Sequence, residues 1–121
     1  MAVELNHTIV HVRNQQESAE FVADILGLEP EPRWGPFLPV QLANHVALDF
    51  MDHPDPPMQH YAFKLSGDEW EAARRRLLDR HVPTWGDPHM SEPGGVYEVG
   101  GEKGTYFQEP SGHLLEIITD A

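Results

Sequence analysis

The segment LNHTIVHV at residues 5–12 alternates apolar and polar side chains with the period of a β-strand. A second segment, MQHYAFKL at residues 58–65, repeats the alternation 53 residues later. Both segments carry a histidine at their third position, His7 in the first and His60 in the second. This repetition indicates an internal duplication, which outweighs single-residue propensities when a fold is predicted.

An amphipathic helix is predicted after each of these strands. The first begins at Asn14, with Glu17 completing a capping box, and ends at Gly27. The second begins at Ser66, 52 residues after Asn14, and ends before Pro83. The apolar stripes that would face the core are Phe21, Val22, Ile25 and Leu26 in the first helix and Trp70, Ala73, Leu77 and Leu78 in the second.

Further short strands are predicted after each helix. In the first half they lie near residues 32–34, 38–42 and 45–51; in the second they lie near 84–85, 96–99, 105–108 and 113–119. Glycine turns are predicted at residues 100–101 and at Gly104. The chain therefore reads as βαβββ twice, an α+β fold. We expect a single domain, with one module at about residues 1–53 and a second at about residues 57–121.

Ionisable side chains fall on one face of these strands. The apolar sets would pack under the helices, while His60, Glu116, His45 and Asp49 would line the opposite face among alanine, leucine and isoleucine. Charged groups in such surroundings are costly unless they are paired or bind a metal. Two imidazoles and one carboxylate make a facial triad with open coordination positions. The pattern thus predicts a divalent metal held by His7, His60 and Glu116.

Composition excludes several classes of protein. The chain has no cysteine, so disulfides, thiolate zinc sites and cysteine nucleophiles are excluded. Its net charge of -12 disfavours nucleic acid, anionic lipid and polyanionic substrates. No apolar run is as long as a membrane span, and the first residues lack the pattern of a secretion signal. We expect a cytoplasmic protein that acts on a small molecule.

These patterns resemble the vicinal oxygen chelate superfamily, which includes glyoxalase I, extradiol dioxygenases, fosfomycin-resistance transferases and bleomycin-resistance proteins. The resemblance rests on Leu-x-His-x-x-x-x-Val at residues 5–12, the His60 strand, and FQEPSGHLLE at residues 107–116. The last stretch looks like the family's F-x-D-P-x-G-x-x-x-E, with Glu109 in place of aspartate. The resemblance implies paired βαβββ modules in a cupped mixed sheet, helices on its outer face, a divalent metal inside, and a homodimer whose ligands are sometimes drawn from two chains.

Among these branches the chain most resembles the extradiol ring-cleavage enzymes. His45 lies fifteen residues before His60, where that branch carries its acid–base histidine. Tyr106 lies ten residues before Glu116, where it carries a tyrosine that binds substrate oxygen. The resemblance therefore implies Fe(II) or Mn(II) on His7, His60 and Glu116, and oxygenative cleavage of a catechol-like substrate.

Two other readings stay open. Asp49 aligns with Glu116 by internal symmetry, and glyoxalase I uses an acid there as a fourth ligand. That would suit a Zn(II) or Ni(II) lyase or isomerase; otherwise Asp49 is an acceptor that orients a histidine. A bleomycin-type protein would instead bind a drug without turnover, but such binders generally lack the metal triad. A fosfomycin-type transferase would need basic groups, for which only Lys64 and Lys103 are candidates near the cup.

Overall fold

The computed structural model describes residues 2–120 and divides the chain into two compact units, Met1–Pro57 and Met58–Ala121. Each unit contains one α-helix and one mixed β-sheet. The predicted α+β fold class, with helices and mixed sheets, is therefore confirmed. The two units are described separately below.

The first unit contains a three-stranded sheet. Its elements are β1 (His7–Val12), α1 (Gln15–Leu26), β2 (Phe37–Gln41) and β3 (Ala47–Asp52). Strand β3 is central, parallel to β1 and antiparallel to β2. A right-handed βαβ crossover is the usual way to join two parallel strands, and α1 is the helix that makes the connection here.

The second unit contains a five-stranded sheet. Its elements are β4 (His60–Lys64), α2 (Gly67–Asp79), β5 (Thr84–Trp85), β6 (Tyr97–Val99), β7 (Glu102–Gln108) and β8 (Leu114–Asp120). The strand order is β4-β8-β7-β5, and β6 also pairs with β7. Among the strands described in this unit, the β4–β8 pair alone is parallel, as β1–β3 is in the first unit.

The helix ends follow the sequence signals. The Asn14 side chain accepts a hydrogen bond from the Glu17 amide at 3.0 Å, and Gly27 ends α1 in the left-handed conformation at φ 76°. Ser66 and Glu69 form a reciprocal capping box at the start of α2. The capping box at Ser66 is confirmed, whereas Asn14 forms only the N-cap half of the predicted box, without a return bond from the Glu17 side chain among the described residues.

Four predicted details are wrong. Leu78, expected in the buried stripe of α2, is 52% exposed, because it lies in the last turn of the helix, beside the buried face formed by Trp70, Ala73 and Leu77. The strand expected at residues 32–34 is reduced to an isolated bridge between Trp34 and Phe37, because a tight turn at Gly35 (φ 57°) joins these residues. His45 lies outside β3, at φ 66°, because the reversal between β2 and β3 uses residues 42–46. Gly104 is inside β7, not in a turn, because Gly100 and Gly101, both at positive φ, already make the reversal between β6 and β7.

Strand alternation places the core as predicted. In the first unit the buried side chains of the strands face α1. In the second unit Trp70 of α2 packs on β8, and its indole N–H donates to the Ile117 carbonyl at 2.9 Å. The buried strand residues are Val10, Val12, Leu38, Val40, Leu48 and Phe50 in the first unit and Phe63, Phe107, Leu115 and Ile117 in the second. Burying a side chain of this size contributes about 1.5–3 kcal/mol.

Neither helix within residues 2–120 combines the length and the apolar character that crossing a bilayer requires.

One buried polar side chain joins the parts of the first unit. Gln15 is 4% exposed, and its amide nitrogen donates to the carbonyls of Pro36 and Phe50, each at 2.9 Å. Its backbone N–H donates to the Asp52 carboxylate at 2.8 Å. Gln15 therefore connects the start of α1 to the end of β3 and to the residue before β2.

Replacing Gln15 with leucine is expected to destabilise the protein by about 2 kcal/mol, because the buried Phe50 carbonyl and the part-buried Pro36 carbonyl lose their donor. The neighbouring Gln16 is exposed, so Gln16→Leu is the matched control and should change stability by less than about 0.5 kcal/mol. Urea unfolding followed by circular dichroism measures both. Equal unfolding midpoints for the two variants would contradict the role assigned to Gln15.

Candidate functional site

Glu116 is a carboxylate inside a sheet. It lies on β8, between β4 and β7, with Ala62 and Tyr106 directly across from it in the two neighbouring strands. The residue is 7% exposed. A carboxylate with so little access to water needs hydrogen-bond donors or a cation to compensate for its lost hydration.

His60 supplies the first partner. It is the first residue of β4, and its Nε2 lies 3.0 Å from the Glu116 Oε1. The His60 side chain is 42% exposed, while the Glu116 side chain is 10% exposed. An imidazole nitrogen and a carboxylate oxygen thus lie side by side, with the imidazole reaching solvent. Both atoms are ligands that divalent first-row metals accept.

Two tyrosines complete the surroundings of the carboxylate. The Tyr97 hydroxyl donates to the Glu116 Oε2 at 2.5 Å. The Tyr106 ring lies 5.9 Å from the His60 ring and 5.8 Å from the Tyr97 ring. Burial raises the pKa of both tyrosines, and the neighbouring Glu116 carboxylate raises each pKa further. Both hydroxyls therefore stay protonated at neutral pH and act as donors.

Tyr97 was missed by the sequence analysis. Its strand, β6, has only three residues, too short for alternation to assign a face. The available signal was Gly104, which the structure places directly opposite Tyr97 in the β6–β7 ladder. A glycine inside a strand often marks the close approach of another group, but here it was interpreted as a turn.

A buried histidine secures the backbone next to His60. His113 is 1% exposed, and its Nδ1 accepts a hydrogen bond from the Gln59 amide at 2.9 Å. The proton of the neutral ring is therefore on Nε2. The His113 amide donates in turn to the buried Glu109 carboxylate at 3.0 Å, and the same oxygen accepts from the Ser111 amide at 2.8 Å. The 109–113 turn thus connects the start of β4 to the start of β8.

Replacing His113 with leucine should leave the Gln59 amide without its acceptor and destabilise the protein by about 1–3 kcal/mol. His113→Asn is the matched control, because the asparagine Oδ1 occupies the position of the histidine Nδ1. Amide hydrogen exchange at Gln59 reports the contact directly: exchange should accelerate in the leucine variant and stay slow in the asparagine variant. Equal protection at Gln59 in both variants would contradict this interpretation.

The other predicted residues belong to the first unit. His7 is the first residue of β1, and its Nδ1 lies 2.7 Å from the Asn6 side-chain oxygen. That contact favours the tautomer with its lone pair on Nε2, the form in which histidine binds metals. Asp49 lies opposite Ile9 in the β1–β3 ladder, on the face of the sheet away from the core. His45 lies in the turn before β3.

The structure thus brings together His60, Glu116 and Tyr106 and adds Tyr97 to them. Within residues 2–120 no three histidine, aspartate or glutamate side chains are grouped so that they could hold one metal ion. The His60–Glu116 pair provides one nitrogen and one oxygen donor side by side. The chemistry of this donor set fits a divalent first-row metal.

The model of the Glyoxalase/Bleomycin resistance protein/Dioxygenase superfamily matches residues 4–117. The chain belongs to this superfamily. The structure of oxidase ChaP-H1 is 45% identical, with a TM-score of 0.95, and the match covers 99% of this chain and 98% of that one. Oxidase ChaP-H2 is 43% identical, with a TM-score of 0.96, over 100% of this chain and 96% of that one.

A third superfamily relative is more distant in sequence. Glutathione transferase FosA from Serratia marcescens is 29% identical, and the match covers 97% of this chain and 81% of the relative. The relatives of this chain therefore include two proteins named oxidases and one named a glutathione transferase. The superfamily resemblance predicted from the sequence is confirmed.

Proposed function

We propose that this protein is a metal-dependent oxidase that acts on a small catechol-like aromatic molecule. The observation that carries the proposal is the contact between the His60 Nε2 and the buried Glu116 Oε1. Such a pair is a ready source of two metal ligands. The similarity to two proteins named oxidases, at 45% and 43% identity over nearly the whole chain, favours oxidation over the other reactions of the superfamily.

The proposed ligands are His7, His60 and Glu116, with Asp49 as a fourth ligand or as an acceptor that orients a histidine. Fe(II) or Mn(II) is favoured, because two histidines and one carboxylate with open positions are typical of oxygen-using sites. The metal would supply Lewis acidity toward the substrate oxygens and open positions for small molecules. We also propose a homodimer, with the ligands drawn from one chain or from two.

The remaining residues would bind substrate and move protons. Tyr106 holds its proton at neutral pH, because burial and the neighbouring carboxylate raise its pKa, so its hydroxyl can donate to a substrate oxygen. His45 is the proposed acid–base group, since histidine exchanges protons near neutral pH. Its turn position outside β3 is compatible with a side chain that approaches a bound substrate.

The charges in the second unit argue against a phosphonate-binding transferase. Such a reaction needs cationic groups that are available to an anion. Lys64 is paired with Glu102 at 3.3 Å and with Asp120 at 3.0 Å. Lys103 is paired with Glu71 at 2.8 Å and lies over the Trp70 ring. Both candidate lysines already have acidic partners, so a transferase like FosA is not favoured despite the sequence similarity.

A glyoxalase-like isomerase is the second candidate, supported by the position of Asp49. It lies on the face of the first sheet away from the core, as the first-unit counterpart of Glu116. In that reaction a carboxylate would abstract a proton beside a carbonyl. The isomerase should depend strongly on Asp49 and Glu116, whereas the oxidase should depend on His45.

Replacing His60 with alanine should abolish binding of one equivalent of Fe(II) or Mn(II), because it removes one of three ligands. His89→Ala is the control, since His89 is exposed in a loop of the same unit. Metal content after anaerobic purification, together with titration calorimetry of added Mn(II), measures the effect. Full metal uptake by the His60 variant would reject both enzyme hypotheses, and absence of metal binding by the unaltered protein would favour a binding protein without turnover.

Replacing His45 with alanine should slow dioxygen consumption with catechol as substrate by about 10²–10⁴-fold, the usual contribution of a general acid–base group. Metal content should not change. His81→Ala is a matched control, because His81 also has a positive φ, 58° against 66° for His45. An unaffected rate in the His45 variant would contradict its proton role. Turnover of the methylglyoxal–glutathione hemithioacetal without dioxygen consumption would favour the isomerase.

A further inference from the structure

The two oxygens of Glu116 have different partners. Oε1 lies 3.0 Å from the His60 Nε2, and Oε2 accepts a hydrogen bond from the Tyr97 hydroxyl at 2.5 Å. A carboxylate whose oxygens are both bonded cannot rotate about its last torsion without breaking a contact. By binding Oε2, Tyr97 therefore helps to determine that Oε1 is the oxygen directed toward His60.

The position of the Tyr97 ring depends on Gly104. The two residues are directly opposite in the antiparallel β6–β7 pair. A Cβ built on Gly104 would lie 2.5 Å from the Tyr97 Cζ and 2.6 Å from its Cε2, which is too close for any real contact. The ring thus lies against the glycine backbone, an arrangement in which an aromatic side chain covers a glycine of the neighbouring strand.

Backbone conformation does not explain Gly104. Six glycines among the described residues have positive φ angles, and Gly104 is not one of them. Any residue could adopt its backbone conformation in β7. The specific requirement for glycine at this position is therefore the space that the Tyr97 ring occupies.

We propose that Tyr97, seated on Gly104, is a positioning residue that orients the Glu116 carboxylate toward the metal. Its hydroxyl donates a hydrogen bond to Oε2, and this bond keeps Oε1 directed toward His60. The role rests on the proposed function, because it concerns the same ligand pair. Partners of this kind set ligand orientation, and their loss typically lowers metal affinity by about 10–100-fold.

The first test compares hydroxyl deletions. Tyr97→Phe keeps the ring and removes the donor, so the dissociation constant for Mn(II) in titration calorimetry should rise by about 10-fold or more. Tyr61→Phe is the matched control, a hydroxyl deletion in the neighbouring β4 strand, and should leave Mn(II) affinity unchanged. Because the buried Oε2 loses its donor, the unfolding midpoint of the metal-free Tyr97 variant should fall as well, so Mn(II) affinity is the measurement that decides. A lowered midpoint with unchanged Mn(II) affinity would mean a purely structural role and would overturn the proposal.

The second test changes the seat of the ring and keeps the hydroxyl. Gly104→Ala should displace the ring and weaken Mn(II) binding as Tyr97→Phe does. In a Tyr97→Ala background, the same alanine should cost little stability, because no ring remains to be displaced. Gly104→Ala with unaltered Mn(II) affinity, or with the same stability cost in both backgrounds, would overturn the assignment of Gly104.

A third measurement needs no metal and separates this inference from the proposed function. In metal-free protein, nitrogen-15 NMR of the His60 ring reports its contact with Glu116. The Nε2 resonance should shift in Tyr97→Phe and stay in place in Tyr61→Phe. If the unaltered protein binds no Mn(II) while the resonance shifts, the proposed function and the metal-orienting role both fail, and only the orientation of Glu116 relative to His60 by Tyr97 stands. If Mn(II) binds and neither affinity nor resonance responds to Tyr97→Phe, the positioning role fails alone.

Discussion

The buried carboxylate of Glu116 is the constraint on which the rest of the second unit depends. A charged group at 7% exposure, between two neighbouring strands, is stable only with partners of the right kind. His60 on β4 and Tyr97 on β6 supply those partners, and β4 and β6 lie on opposite sides of β8 in the sheet. The strand order therefore determines which side chains surround Glu116. Strand β8 pairs with β4 on one side and with β7 on the other, and β6 pairs with β7.

The two units share a plan but differ where the second has more strands. Both begin with a strand, continue with a capped amphipathic helix, and place the last strand parallel to the first. The second unit has two more strands than the first, and one of its strands, β6, pairs with β7 and carries Tyr97. In the first unit, the sheet face away from the core bears Asp49, the counterpart of Glu116. The strand that carries Tyr97 thus belongs to the unit whose carboxylate is more deeply buried.

Charge distribution narrows the chemistry that the superfamily fold allows. The chain is strongly acidic, and Lys64 and Lys103, the two candidates for binding an anion, are each paired with carboxylates. Ion pairs of this exposed kind add little stability, but they neutralise cations that an anionic substrate would need. The hydroxyl of Tyr106 instead suits a substrate that presents oxygen atoms. This combination agrees with the oxidase proposal and with the similarity to the ChaP-H1 and ChaP-H2 structures.

Local patterns in the sequence were sufficient for the elements that short-range physics determines. Helix caps at Asn14 and Ser66 involve residues three apart, and strand alternation correctly predicted the buried positions of Leu48, Phe50 and Ile117. The superfamily motif likewise lies in one continuous stretch around Glu109 and Glu116. Tertiary structure alone decided the partners that come from distant parts of the chain: the oxygen of Glu116 that faces His60, the tyrosine that holds the other oxygen, and the glycine that seats that tyrosine. The reason is that a hydrogen bond between residues 19 or 56 positions apart depends on strand register, which no local periodicity encodes.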